Sequence, residues 1–456
     1  MQTTHLQLAV DLHKSFNSSD LYSWIRAVLA LFGESDVVRT NWKYFVIIHP
    51  APTGWSRLPS SSMAIRLRLQ PTGVRFSFLF KNEFSPLGIN SSSRHSRKMG
   101  SLGTRKANVL IVGSGGVGTM AAYALEKTGK AAVTSVLRSN FSVVERNGFN
   151  INSLDHGDIK GWKPTQIRNS VPDVAQEVGL QPYDFVVVTT KNVADVPPSV
   201  ADIIALAITP GHTAITLLQN GLNIEKPLIS AFPQNPIISG ISFIGATEGP
   251  LGTIKHDDHD TLVVGAFPNP NVDNEVSEAA ARRFVDAYSC PGIDCVYEPD
   301  VRFWRWRKLL YNSSYNTVAT ILRMDTSRMR VSEHIIDSLI RPLMQEIQAT
   351  ALAAAGVDLP DELIERMITI DTFEAFFKPS MMQDIEKGNY IEFENIVGEP
   401  LREAESVGIP TPTLKVIYEL LKGLQWQTKE AKGLIKVPTK SEPGLKYGTK
   451  HPRVVT

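Results

Sequence analysis

Three polar side chains recur at every fourth residue in Trp304-Arg305-Trp306-Arg307-Lys308-Leu309-Leu310-Tyr311-Asn312-Ser313-Ser314-Tyr315-Asn316. On a helix, Lys308, Asn312 and Asn316 stand at i, i+4 and i+8, one polar stripe in an otherwise apolar and aromatic stretch. Groups aligned in this way are costly to bury unless something uses them. Three other segments hold polar residues that their patterns do not need. Thr189-Thr190-Lys191-Asn192 and Gln219-Asn220-Gly221 each follow an apolar run, and Ser380-Met381-Met382-Gln383-Asp384 precedes Gly388-Asn389-Tyr390-Ile391-Glu392. A fifth segment is built on glycine: Gly113-Ser114-Gly115-Gly116-Val117-Gly118. It follows the apolar run Ala107-Asn108-Val109-Leu110-Ile111-Val112 and leads into Thr119-Met120-Ala121-Ala122-Tyr123-Ala124-Leu125.

Strand, glycine turn and helix, in that order, form a dinucleotide site. Gly113 permits the tight turn, Gly115 lets the backbone approach a pyrophosphate, and Gly118 lets helix and strand pack closely. The N–H groups opening the helix face the phosphates. The next strand, Ala132-Val133-Thr134-Ser135-Val136-Leu137, stops at Arg138-Ser139-Asn140, where an NAD site would place an acid for the ribose 2′-hydroxyl. A guanidinium at that place pairs with a 2′-phosphate, with Ser139 or Asn140 adding donors, so NADPH/NADP+ is favoured over NAD(H). The plain alternative is an exposed loop arginine.

The elements that must position these residues follow an alternating pattern. A short helix at 141–147 and a strand at 148–152 lead to a buried strand at 183–190, a helix at 196–208 and a strand at 213–218. Further strands at 237–244 and 261–264 complete a βαβ rhythm, which implies a doubly wound sheet with its ligand at the carboxyl ends of the strands. From about residue 298 the pattern turns helical. Residues 335–355 carry apolar positions at helical spacing and stop at Gly356, and Pro360, Pro379, Pro410 and Pro412 punctuate the later helices. The expected organisation is an extension over 1–98, a dinucleotide-binding domain over 105–297, a helical substrate and catalytic domain over 298–430, and a polar tail over 431–456.

These five motifs, in this order across roughly residues 105–425, resemble the ketopantoate reductase (2-dehydropantoate 2-reductase) family. The resemblance implies an α/β fold: an N-terminal Rossmann-type dinucleotide-binding domain and a mostly α-helical C-terminal domain like that of 6-phosphogluconate dehydrogenase. It makes Lys308 similar to the family's proton-donating lysine, and Asn312 and Asn316 similar to its substrate-binding asparagines. It puts Ser380 at a substrate contact and Glu392 on a substrate hydroxyl, Glu392 being equally available to pair with a lysine. Lys191 and Asn220 match polar residues near the nicotinamide, and Arg138 matches the arginine of the 2′-phosphate. Two departures put the keto substrate in doubt. The family's I-N-G step falls here on Ile396-Val397-Gly398, and a further substrate asparagine falls on Asp325-Thr326-Ser327.

The chemistry of such a set is coherent. Hydride delivered to a ketone carbon drives negative charge onto the oxygen, and a cation that also donates a proton lowers that barrier. The expected activity is NADPH-dependent reduction of 2-dehydropantoate to (R)-pantoate, towards pantothenate and coenzyme A. Two rivals are a reductase of another branched 2-oxo acid and an NADP(H)-sensing protein without turnover, the latter needing neither Lys308 nor Glu392.

Bulk properties bound the rest. The 456 residues suffice for two or three domains, and 43% hydrophobic with 20% charged residues is ordinary for a globular chain. The net charge of +1 hides an asymmetry, since residues 1–98 hold 12 Lys and Arg against 5 Asp and Glu, leaving 35 against 41 for the body. A mildly acidic body gives no reason to expect nucleic acid or an anionic membrane as partner. No stretch reads as a membrane span. Cys290 and Cys295 form neither a disulfide framework nor C-x-x-C, which suits a reducing compartment and packing roles. His256-Asp257-Asp258-His259-Asp260 lacks defined ligand spacing, so no metal is expected and a solvated turn is preferred. Residues 1–98 show no sustained period and end in a basic serine-rich linker, read as a dispensable or disordered extension. The alternatives are a presequence over 63–98, with seven basic residues against Glu83, and a small accessory domain. The expected location is cytoplasmic, or mitochondrial if 63–98 is a presequence, and a homodimer is possible.

Overall fold

The computed structural model describes residues 105–437 and, before them, the backbone of four strands. The chain divides into two compact units at Ser101–Leu102. In the first unit, β1 (His5–Ala9), β2 (Lys43–Ile47), β3 (Ser62–Leu69) and β4 (Arg75–Lys81) form one sheet in the order β2-β1-β3-β4. The β1–β2 pair is parallel and the other two are antiparallel. Ile65-Arg66-Leu67-Arg68-Leu69 and Phe76-Ser77-Phe78-Leu79-Phe80 alternate with the period of a strand. These runs are short, and the strands they form differ from the expected disordered extension. The rest of the expected extension, and the tail beyond residue 437, lie outside the described residues.

In the second unit β5 (Ala107–Val112), β6 (Ala131–Val136), β9 (Gln166–Arg168), β10 (Phe185–Val188), β11 (Ala214–Leu217), β12 (Ile237–Ser242), β15 (Thr261–Ala266) and β16 (Asp294–Tyr297) make an eight-stranded sheet. Its order is β16-β15-β12-β11-β10-β5-β6-β9. All neighbouring pairs are parallel except β12–β15. The strands read as continuous apolar runs because both faces are covered. Successive residues go to opposite sides: Val109, Ile111, Phe185 and Val187 pack with Ala281 and Phe284 of the helix Asn274–Tyr288. Leu110, Val112, Val186 and Val188 pack on the other side with Ile204 and Leu228. This is the doubly wound α/β domain that the rhythm predicted, and the helical domain follows it from Val301 to Ala431 around a core of its own.

Several local expectations are corrected. The strand over 148–152 joins the second, smaller sheet β13-β14-β7-β8, formed by β7 (Phe149–Ser153), β8 (Gly157–Trp162), β13 (Gly245–Glu248) and β14 (Thr253–Asp258). The helix expected over 196–208 is confined to Val200–Ile204 and a 3₁₀ turn, Ala205–Ala207, because Pro197 and Pro198 cannot lie inside it. His256, expected in a solvated turn, is buried in β14, where its Nδ1 lies 2.7 Å from Ser153 Oγ. Among the described residues no group of three or more His, Cys, Asp and Glu is placed to hold a metal ion, and no helix is long and apolar enough to cross a membrane. Cys290 and Cys295 are free and pack against the sheet core.

Candidate active site

The carboxyl ends of β5, β6, β10 and β11 open into a cleft of about 2430 Å³ whose far wall is the helical domain. Gly113, at φ +104°, turns the chain out of β5, and a Cβ there would lie 2.7 Å from Thr190 N. A Cβ on Gly118 would lie 1.8 Å from Gly113 O, so only glycine allows the helix Gly116–Lys127 to start so close to the strand. A Cβ on Gly116 would meet Ala246 O at 2.2 Å. Gly115 differs: it is exposed in the cleft and a Cβ would meet no protein atom within 4 Å. The space beside it is what a pyrophosphate needs, with the helix N-terminus supplying N–H groups, so these residues fit a dinucleotide. Ser114 and Val117 line the same turn, and Ser114 Oγ donates to Val136 O at 3.0 Å.

Arg138 stands exposed on the cleft beyond β6. Asn140, expected to add a donor, is committed elsewhere, its Nδ2 donating to Ser114 O and Glu248 Oε1, both at 2.9 Å. Across the cleft, the helix Val301–Tyr311 passes into a π turn, Asn312–Asn316, and resumes as Thr317–Leu322. Side chains four apart drift around an α-helix of ~3.6 residues per turn, and the wider π turn reduces that drift. Lys308, Asn312 and Asn316 all line the cleft. Lys308 Nζ donates to Ser242 O and sits 5.2 Å from the centre of the Phe243 ring. Withdrawal from water, then the Arg305 guanidinium, push the Lys308 ammonium down to about 7, with Lys191 adding to this and Glu392 opposing it. Asn316 is engaged: Oδ1 accepts from Met381 N at 2.8 Å and Nδ2 donates to Ser380 Oγ at 3.2 Å, which ties the helix Ser380–Glu386 to the stripe.

Lys191, Asn220 and Ser380 also line the cleft. Glu392 does not. It is buried behind Lys191, its carboxylate 3.4 Å from Lys191 Nζ and accepting from Asn192 N at 2.8 Å. Burial pushes the Glu392 carboxyl up, while Lys191 and the Asn192 N–H pull it down. Lys191 also pairs with Asp384, at 2.8 Å, and the two carboxylates together raise the Lys191 ammonium against the desolvation that lowers it. Of the two roles open to Glu392 in the sequence, pairing with a lysine is the one this arrangement contains.

Two family models match, "Ketopantoate reductase PanE/ApbA" over residues 109–269 and "Ketopantoate reductase PanE/ApbA C terminal" over 300–425. An uncharacterized protein of Saccharomyces cerevisiae is 37% identical over 356 residues, which is 74% of this chain and 98% of that protein. The chain belongs to the ketopantoate reductase family. The 2-dehydropantoate 2-reductase of Nostoc is 27% identical over 70% of this chain and 95% of its own length. The crystal structure of 2-dehydropantoate 2-reductase from Methylococcus capsulatus superposes with a TM-score of 0.58 at 29% identity, covering 70% of this chain and 97% of that one. A D-mandelate dehydrogenase solved with NADH and anilino(oxo)acetate shares the fold at 18% identity and a TM-score of 0.59.

Against that family background, the residues that sequence reasoning passed over lie at the seam between the domains. Asn395 O accepts from Leu222 N at 2.8 Å, Asn395 Nδ2 donates to Leu222 O at 2.9 Å, and Asn192 Nδ2 donates to Asn395 Oδ1 at 3.1 Å. Asn395 sits in another π turn, Glu394–Gly398, two places before Val397, where the family motif has its asparagine. Ser313 Oγ joins the two π turns by donating to Ile396 O at 2.7 Å. π turns recur at functional sites, but no sequence period announces them. The departure at Asp325-Thr326-Ser327 has a structural role. Ser327 Oγ donates to Phe373 O at 2.6 Å and accepts from Phe376 N at 3.1 Å, holding a loop from which Phe376 and Phe377 line the cleft.

Proposed function

We propose that the protein is an NADPH-dependent 2-oxo acid reductase that converts 2-dehydropantoate to (R)-pantoate, on the route to pantothenate and coenzyme A. The observation that carries this reading is Lys308, presented by the helical domain to the same cleft as a glycine turn with open space beside Gly115. NADPH, when bound, supplies the hydride. The 113–118 turn and the helix after it hold the pyrophosphate, and Arg138 takes the 2′-phosphate. Lys308 gives its proton to the carbonyl oxygen as negative charge develops there, and a lysine that titrates near neutrality is a better acid than an ordinary one. Asn312, on the cleft wall one turn beyond Lys308, orients the substrate. Asn316 orients Ser380 beside it, and Glu392 acts through Lys191.

A second reading, reduction of another branched or bulkier apolar 2-oxo acid, is favoured by Phe376 and Phe377 on the cleft wall. The assay that tests both follows NADPH absorbance with purified protein across a panel of 2-oxo acids. Turnover of 2-dehydropantoate above all others supports the first reading, and a larger kcat/KM for an aryl or long-chain acid supports the second. NADPH binding without turnover of any acid would leave a sensing protein. We place the activity in the cytoplasm, as a homodimer. Import of a fluorescent fusion into mitochondria would move it there, and light scattering of the purified protein reads the subunit number.

A further inference from the structure

Arg305 is a buried guanidinium, 5% exposed, on the helix that carries Lys308 one turn later. Among the described residues no carboxylate hydrogen-bonds to it. Its Nε donates to Ser239 Oγ at 3.0 Å, and its Nη1 to the main-chain oxygens of Gln219 and Gly221 at 2.9 and 3.1 Å. The plane lies 5.1 Å from the centre of the Phe267 ring. Among the described residues its Nη2 has no hydrogen-bond partner, and neither have Asn312 Nδ2 and Gln219 Oε1. All three of these residues line one small cavity of about 10 Å³, and Lys308 lines it too. Two donors and one acceptor around a space of that size are the complement of a single water, which is how a buried polar set is commonly completed.

These bonds to Ser239, Gln219 and Gly221 join the two domains, and they also hold a charge out of water with no carboxylate hydrogen-bonded to it, which costs several kcal/mol. An apolar side chain would avoid that cost but leave the Gln219 and Gly221 carbonyls without this donor. We propose that Arg305 is a positioning residue for the proton donor, its fixed charge acting on Lys308 across the polar cavity that the two share. This rests on the reading of Lys308 as the proton donor. The charged groups around Lys308 are Arg305 and Arg307 on its own helix, Lys191 after β10 and Glu392 before the π turn Glu394–Gly398, while β12 and the residue after it present the Ser242 carbonyl and the Phe243 ring, on which Arg307 also stacks. Lys191 is itself held by Asp384 and Glu392. Arg305 is faced by Glu225, which is buried and leaves Oε2 without a partner. Arg307, next to Lys308, stacks on the Phe243 and Trp304 rings at the cleft, whereas Arg305 is the cation that shares the small polar cavity with Lys308, and it disfavours the charged form of Lys308.

The test reads Lys308 directly. Competitive acetylation of the whole protein across a pH series, with mass spectrometry of the peptide containing Lys308, gives its titration midpoint with no substrate present. Arg305→Met and Arg305→Gln should raise that midpoint by on the order of one pH unit, and Arg305→Lys should leave it in place. Gln keeps an amide for the Gln219 and Gly221 carbonyls, so it decides the matter if the Met variant does not fold. In turnover the same two variants should carry the alkaline limb of kcat/KM upward by the same amount, which a merely structural role would not do. A midpoint unchanged in both neutral variants would overturn the proposal even in an active reductase. A shifted midpoint in a protein that reduces no 2-oxo acid would leave this proposal standing and remove the functional reading instead.

Discussion

Lys308 is where a single substitution separates chemistry from binding. Lys308→Ala should lower kcat by roughly 10²- to 10⁴-fold, the loss expected of a general acid. NADPH affinity, followed by fluorescence titration, should hardly change, because the glycine turn and Arg138 are untouched. The working form of Lys308 is the ammonium, and its midpoint is about 7. Activity should therefore be full below that pH and fall as pH rises through it, and a kcat/KM profile flat from pH 6 to 9 would contradict the assignment. At Arg138 the prediction is selectivity: Arg138→Asp should narrow or reverse the preference for NADPH over NADH, read as a ratio of dissociation constants. Much at this scale was legible, since residue type and spacing alone singled out Lys308, Lys191, Arg138 and the asparagines. Glu392 was legible as a position but not as a contact. That it faces Lys191 instead of the cleft depends on how a β-strand end and a helical turn 200 residues apart are brought together. Arg305 was read only as part of an aromatic run, because its bonds go to carbonyls of another domain.

At the scale of elements, the glycine turn gives a paired prediction. Gly118→Ala forces a methyl against Gly113 O, an overpacking that costs about 1–3 kcal/mol, so both the melting temperature and cofactor affinity should drop. Gly115→Ala points its methyl into open cleft. Its melting temperature should hold while cofactor affinity falls, and equal losses in both variants would show that Gly115 is structural. Strands and helices of the sheet were legible because burial on both faces imposes apolar runs and period, as in β5, β10 and β11. The π turns were not, because one extra residue in a turn leaves no compositional trace. Nor was the small sheet, in which β7 is an ordinary strand by pattern and only its partners β14 and β8 place it.

At the scale of the molecule, residues 105–437 contain their own cores on both faces of the sheet and in the helical domain. Deleting residues 1–98 should therefore leave the melting temperature of the body and its NADPH titration unchanged. Aggregation, or loss of cofactor binding, would show that the first unit is needed by the second. The two domains of the body are stitched by Asn395 to Leu222 and Asn192, by Arg305 to Gln219 and Gly221, and by Lys429 to Asp195 at 2.7 Å. These stitches form the spine of a book. A small rotation about a spine displaces each atom in proportion to its distance from it. Lys308 lies beside the spine and Arg138 three strands away, beyond β10, β5 and β6, each spaced ~4.8 Å from the next. Were one cover to turn about that spine, the rim at Arg138 would travel far, while Lys308 would keep its distance from the page edge.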